Sequence, residues 1–485
     1  MADTVASPRE IVPSAAMAVR LTMALGAAVL LLMMVLGLVL LLAQGTFINI
    51  EPDLFYQIMT AHGTGMVGSA GLAGAAIMWF FLNRHVEPNV KVYYLFLAFF
   101  LLGVVLILGS IFLGGFAGAW TFLFPLPALS SGVWDPNAAL AFFLGLLCVG
   151  VGFLLLYLDV GLTIVSRYGN LSRALGWPQL FGGSQNEPPP PAVVASTAVL
   201  IANTIGIVVG AAILTMSAVN LYVPAFAIDT LLAKNLIYFF GHVFINTTIY
   251  MAVIAVYEII PAYTGRPWKS NKALLAGWTA TLLYVLSVYP HHLFQDMVMP
   301  GWMLVMGQVV SYLSGIPVIV VTAYALLTYV HRSGIRWDLA SALLVLGIFG
   351  WAAGIIPAII DGTISVNKVM HNTLWVPGHF HFYLLLGVVA MAFGFAIWLV
   401  QGERPAESFV STQKVAFAGY LIGGLGFVGT FLYAGKMSVP RRWAVHLPEW
   451  VAQDRLASIF ALAVVLATAM IVLNYLAGLA HAKLK

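Results

Sequence analysis

Residues 368–401 read KVMHNTLWVPGHFHFYLLLGVVAMAFGFAIWLVQ: thirty-four positions with one charge, Lys368, no acid, and histidines at 371, 379 and 381. Crossing about 30 Å of hydrocarbon takes about 20 apolar residues, so this stretch reads as a membrane span with imidazoles in it. Eleven more runs have the same character, at roughly 21–44, 55–83, 92–116, 138–165, 194–219, 236–262, 272–292, 303–330, 338–360, 412–435 and 455–481. The composition agrees. Of 485 residues 62% are hydrophobic and 8% charged, against about 25% charged in soluble proteins, and the mean hydropathy is +0.99. A water-soluble globular enzyme and a disordered chain are both excluded. The expectation is an all-α polytopic membrane protein of about 12 transmembrane helices, one domain over 1–485. A tail over 1–20 and a Pro-rich loop over 166–193 are expected on the cytoplasmic side.

Lys and Arg in the connections set the orientation. With the N-terminus inside, fifteen fall on the cytoplasmic side, among them Arg9, Arg20, Arg84, Lys91, Arg167, Arg173, Arg266, Lys483 and Lys485. Six fall outside: Lys234, Lys368, Lys436, Arg441, Arg442 and Arg455. Both termini are therefore expected in the cytoplasm. The four prolines ending at Pro191 read as a stiff spacer. No cleavable signal peptide is evident at the start, and no internal repeat is visible. The single cysteine, Cys148, excludes a disulfide framework, a covalent c-type haem and a two-thiolate copper centre within this chain. The basic residues mark topology, so nucleic-acid binding has no support.

Six histidines fall at one depth. His62 lies in the second run, His242 in the sixth, His291 and His292 at the end of the seventh, and His379 and His381 in the tenth. At 1.5 Å per residue all six lie within roughly 10–15 Å of the outer surface. A lone intramembrane histidine is as readily a hydrogen-bonding core residue as a ligand. Six at one level point to metal, because neutral imidazole suits copper and iron. Positions two apart on a helix differ by about 200°, so His379 and His381 face opposite ways and serve different metals. His242, His291 and His292 offer three nitrogens to one copper; His62 and His381 can clamp one haem; His379 can hold a second haem whose other face stays open.

These residues resemble the catalytic subunit of the haem-copper superfamily, which holds terminal oxygen reductases and nitric oxide reductases. The matching stretches are the segment ending Thr60-Ala61-His62, Gly241-His242, Tyr289-Pro290-His291-His292, the run from His371 through His379 to His381, and Val439-Pro440-Arg441-Arg442. The wording is nearest the B-type, ba3-like branch. The resemblance implies that His62 and His381 are axial ligands of a low-spin haem and His379 the ligand of a high-spin haem. His242, His291 and His292 would bind copper B. Arg441, Arg442 and His371 would sit at the haem propionates, where arginine supplies bidentate donors; without the histidines, interfacial snorkelling is an equal reading for the arginines.

The departure lies at Asn246. Most oxygen reductases place there, four residues after the first copper ligand, a tyrosine joined to that histidine that supplies a proton and an electron. The cytochrome c-dependent nitric oxide reductases have a glutamate. Asparagine is neither redox-active nor a useful proton donor. Reducing oxygen to water takes four electrons, and two haems with one copper hold three; coupling two nitric oxide molecules takes two. Nitric oxide reduction is therefore the expected function, with Asn246 as a pre-placed hydrogen-bond donor. Cytochrome c oxidase is the alternative, with Tyr284 or Tyr289 imitating the missing phenol. A secondary transporter is a remote one, because its histidines would lie near the midplane.

The proton path carries a further departure. Tyr257 matches one hydroxyl of the branch's route, whereas Val253, Val318 and Val321 stand where it has others. Tyr250, Glu258, Thr322, Thr247 and Thr248 offer a substitute; the plainer reading is packing hydroxyls and an interfacial acid. Two haems and one copper are expected as cofactors. The expected partners are a subunit II with a two-cysteine copper centre and a cytochrome c or small copper-protein donor, in a bacterial or archaeal cytoplasmic membrane.

Overall fold

The computed structural model describes residues 11–120, 124, 125 and 127–482. Arg9, Lys483, Lys485 and the first ten residues of the expected tail lie outside the described residues. Among the described residues twelve helices are long and apolar enough to cross a membrane: α1 (Pro13–Gln44), α2 (Pro52–Leu82), α3 (Val90–Phe112), α4 (Pro136–Tyr168), α5 (Pro191–Tyr222), α6 (Thr230–Thr264), α7 (Lys272–Leu293), α8 (Gly301–Val330), α9 (Leu339–Asp361), α10 (Trp375–Val400), α11 (Ser411–Lys436) and α12 (Val451–His481). This is an all-α multi-pass membrane protein. Among the described residues the one sheet-like contact is a bridge between Thr373 and Pro440.

Local chemistry starts these helices. Proline opens α1, α2, α4 and α5, where its missing N–H has no helical partner to lose. Side chains of Asn89, Asp135, Asp229, Asn271 and Asp338 cap α3, α4, α6, α7 and α9. Pro13 accounts for one correction: residues 13–20, expected in the tail, are the first turns of α1. A second concerns the tenth span, which begins at Trp375 rather than 368, because Ile364–Met370 forms a separate short helix. The expected loop over 166–193 is shorter than read and holds two single turns, Leu171–Ala174 and Trp177–Leu180.

Consecutive helices pack side by side, and α12 returns to α1. Every fourth span is central: α2, α6 and α10 touch one another. They are 89%, 83% and 89% buried in their most apolar stretches against 22% for α8, and so most of their surface faces the sheltered interior. Two stretches are π-helical, Val318–Tyr324 in α8 and Leu384–Val389 in α10.

Candidate active site

Helix α7 ends in a 3₁₀ turn, Tyr289–Leu293. Pro290 has no N–H for the α-ladder, and the tighter turn carries His291 and His292 with ring centroids 4.3 Å apart. His242 on α6 meets them: its Nδ1 is 3.1 Å from His292 Nε2, and one nitrogen from each of the three rings lies within 4.8 Å of the others. His291 is oriented by Ser311 of α8. The Ser311 hydroxyl spends its proton on the Gly307 carbonyl at 2.7 Å, so it accepts from His291 Nδ1 at 2.6 Å. That fixes the tautomer and leaves Nε2 for a metal. Gly307 permits the approach, since a Cβ there would stand 2.8 Å from the His291 amide nitrogen. Three nitrogens and no carboxylate form a donor set that suits copper.

His62 on α2 and His381 on α10 face each other with ring centroids 6.2 Å apart and planes 17° from parallel. Two imidazoles either side of one metal, at about 2.0–2.1 Å each, need roughly this separation. His62 Nδ1 is 2.7 Å from the Met33 carbonyl of α1, and His381 Nδ1 is 2.7 Å from the Pro377 carbonyl. A carbonyl only accepts, so both Nδ1 atoms carry the proton and both Nε2 atoms are free to ligate. A Cβ at Gly37 of α1 would stand 2.6 Å from the His62 ring. The pair therefore fits one metal between the two Nε2 atoms, and His62 and His381 are the residues that would hold a haem iron here.

One cavity of 430 Å³ joins the two groups. His62, His242, His291, His292, His371, His379, His381, Asn246, Tyr250, Arg441 and Arg442 all line it, which brings together every expected ligand and cation. His379 sits on the other side of α10 from His381, with the Tyr383 ring edge-on 5.1 Å away. Arg441 and Arg442 reach the cavity from a loop that is zipped to the start of α10: Leu374 donates to the Val439 carbonyl at 2.9 Å and Arg441 N–H to the Asn372 carbonyl at 3.0 Å. Burial and the neighbouring Arg442 bring Arg441 down to about 10, so it stays a cation at neutral pH. Burial, with both arginines beside it, holds His371 down at about 4; it is neutral and can donate to a carboxylate.

Asn246 sits against the ligand cluster. Its Nδ2 is 3.0 Å from His242 Nε2, the nitrogen turned away from His292, and donates to the His242 carbonyl at 2.9 Å. The tyrosine ring stacked on the cluster is Tyr238, 5.3 Å from His292. Tyr284 and Tyr289 do not line the cavity, and the Tyr289 hydroxyl donates to Asn235 at 3.0 Å.

The expected proton-path residues separate. Tyr257 and Thr322 hydroxyls meet at 2.8 Å, below Tyr250. Thr247 and Thr248 spend their hydroxyls on carbonyls of their own helix. Glu258 turns to His85, at 3.4 Å, on the link after α2 rather than towards α8. Sequence reading missed Ser311, Trp120, which reaches the cavity from the α3–α4 connection, and a buried network at His446.

Comparison with known proteins places the whole. Residues 17–481 match the family described as Cytochrome C and Quinol oxidase polypeptide I. A cytochrome c oxidase subunit 1 of Thermus thermophilus is 25% identical over 245 residues, covering 46% of this chain and 43% of that one. A heme-copper oxidase subunit I+III of Aeropyrum pernix is 25% identical over 439 residues, covering 84% and 50%. The chain thus spans about half the length, or less, of these two relatives. A solved heme-copper terminal oxidase dimer superimposes with a TM-score of 0.77 at 18% identity, over 96% of this chain and 84% of that one, a likeness of fold. A histidine-lined cavity inside twelve spans and a match over almost the full sequence lead to one conclusion: the chain belongs to the Cytochrome C and Quinol oxidase polypeptide I family, the subunit I of the haem-copper oxidoreductases.

Proposed function

We propose that this chain is the catalytic subunit of a respiratory haem-copper reductase of the B-type branch, and that its substrate is nitric oxide: 2 NO + 2 e⁻ + 2 H⁺ → N₂O + H₂O. Asn246 carries the reading: an amide, not a phenol, packs on the outward nitrogen of His242. In this reading His62 and His381 hold the low-spin haem, His379 the high-spin haem, and His242, His291 and His292 copper B. When bound, these groups supply the electron transfer and bind the gas.

The protein's own side chains do the rest. Arg441, Arg442 and neutral His371 bind the haem carboxylates. Ser311 keeps His291 in the ligating tautomer. The Asn246 amide is fastened to the His242 carbonyl through Nδ2 and offers a fixed dipole at the cavity wall. It cannot supply the extra electron that oxygen cleavage needs. The Tyr257–Thr322 hydroxyl pair marks the lower end of a proton route whose upper end is Tyr250, about 10 Å above on the same face of α6, while Glu258 stays with His85. A separate subunit with a two-cysteine copper centre hands over electrons from a cytochrome c or small copper protein, in a bacterial or archaeal cytoplasmic membrane with both termini inside.

The name of the Thermus thermophilus relative, cytochrome c oxidase, and the family's description favour oxygen as the second reading. The deciding measurement is gas turnover of the purified, spectrally intact complex on nitric oxide and oxygen electrodes, with copper and iron analysis. Nitric oxide consumption with slow oxygen uptake is expected. Rapid oxygen consumption with negligible nitric oxide turnover would reverse the ranking.

A further inference from the structure

We infer that Gln44, His446 and Asp454 form a latch that holds the Arg441–Arg442 loop over the cavity and thereby sets the reduction potential of the haem between His62 and His381. The three come from the end of α1, the α11–α12 loop and the first turn of α12. His446 Nδ1 is 2.7 Å from Asp454, and the two side chains are 0% and 2% exposed. The Gln44 amide nitrogen is 3.1 Å from His446 Nε2 and donates to the Trp443 carbonyl at 2.8 Å. A carboxylate only accepts and an amide NH₂ only donates, so the imidazole is neutral with its proton on Nδ1. Both ring nitrogens are engaged, which leaves none for a metal. Trp450 closes over the ring edge-on, at 5.7 Å.

The bond to the Trp443 carbonyl matters because of what precedes it. Arg442 has φ +66° and Ser438 φ +64°, left-handed conformations that cost a residue with a Cβ and persist only where the surroundings enforce them. One side of this loop is fastened to 372–374; the Gln44–Trp443 bond is the fastening on the other. Arg455 ties the same two helices by donating to the Gly45 carbonyl at 2.9 Å and to Thr46 at 2.8 Å. Gln44 also lines the cavity that Arg441 and Arg442 line, and its bond to Trp443 falls one residue after Arg442. Cations near the haem carboxylates favour the reduced, more negative form; a loop free to relax takes its cation away and lowers the potential. Gln44, His446 and Asp454 are positioning residues in this scheme.

The inference rests on the reading that the arginines bind haem carboxylates, and a double-mutant cycle separates the two. Reduction of the low-spin haem is titrated spectroscopically in the intact complex, with haem content and band positions as controls. Gln44→Met leaves the His446–Asp454 pair in place and removes the Trp443 fastening. It is expected to shift the reduction equilibrium about tenfold towards the oxidised form, 59 mV for one electron. Gln44→Ser repeats the measurement should the methionine variant not accumulate. His446→Gln, whose amide can still accept from Gln44 and donate to Asp454, is expected to keep the wild-type potential. Arg442→Gln is expected to lower it further, and Gln44→Met to add nothing on that background. A wild-type potential in Gln44→Met, or a full shift persisting beside Arg442→Gln, overturns the latch. No shift in Arg442→Gln overturns the assignment of the arginines, and the latch with it.

Discussion

The paired and the clustered histidines are held in different ways. In the His62–His381 pair each ring is aimed by a backbone carbonyl, Met33 on one side and Pro377 on the other. In the His242–His291–His292 cluster the aiming groups are side chains, Ser311 and Asn246. A carbonyl is present whatever the residue, so the hydrogen bonds that aim the pair survive substitution at Met33; the close approach at Gly37 is the exception around it. The cluster is open to change one residue at a time. Substitution can therefore alter the surroundings of the cluster without moving the groups that aim the pair.

Substitutions ranked by expected effect test that contrast. His381→Ala or His62→Ala removes half of the pair, and loss of the low-spin haem band from the absorbance spectrum together with all turnover is expected; a retained band would mean another residue ligates. His291→Ala is expected to empty the cluster of copper, by metal analysis, while leaving the haem bands in place. Ser311→Ala keeps every ligand and frees the His291 ring, for which about 10–100-fold weaker copper binding or turnover is expected, the usual cost of losing an orienting partner. Asn246→Tyr is expected to lower nitric oxide turnover about tenfold, 1.4 kcal/mol of barrier; an unchanged rate would make the residue irrelevant. Met33→Leu, which alters the side chain but not the carbonyl, is expected to leave the low-spin band where it is. A shift there as large as that of Ser311→Ala would erase the distinction.

The same contrast explains what could be read before the fold was known. Each span was legible because length and apolarity are local properties, and the imidazoles stood out because ionisable groups in such runs are costly. The start of α10 was misplaced because no charged residue follows Lys368 to mark the break between the short helix Ile364–Met370 and the span. The carbonyls of Met33 and Pro377 leave no mark in a sequence, as every residue has one. Ser311 looks like any packing hydroxyl until Gly307 brings α8 against the 3₁₀ turn. Gln44 and His446 are 402 positions apart, a juxtaposition only the return of α12 to α1 creates. Nor does any residue pattern announce that α2, α6 and α10 occupy the middle; that follows from how twelve helices close a ring.

The two π-helical stretches have a consequence for how such a chain can change. Each stands just below the metal-facing level, at Val318–Tyr324 and Leu384–Val389, and holds one residue more than an ordinary turn would. Loss of a residue between Trp375 and His379 would turn the two histidines by about 100° relative to the residues before it, carrying them off target. Within 384–389 the surplus residue can be given up and the turn simply tightens. These segments are therefore slack in an otherwise rigid frame, places where the chain tolerates a change of length without a change of aim.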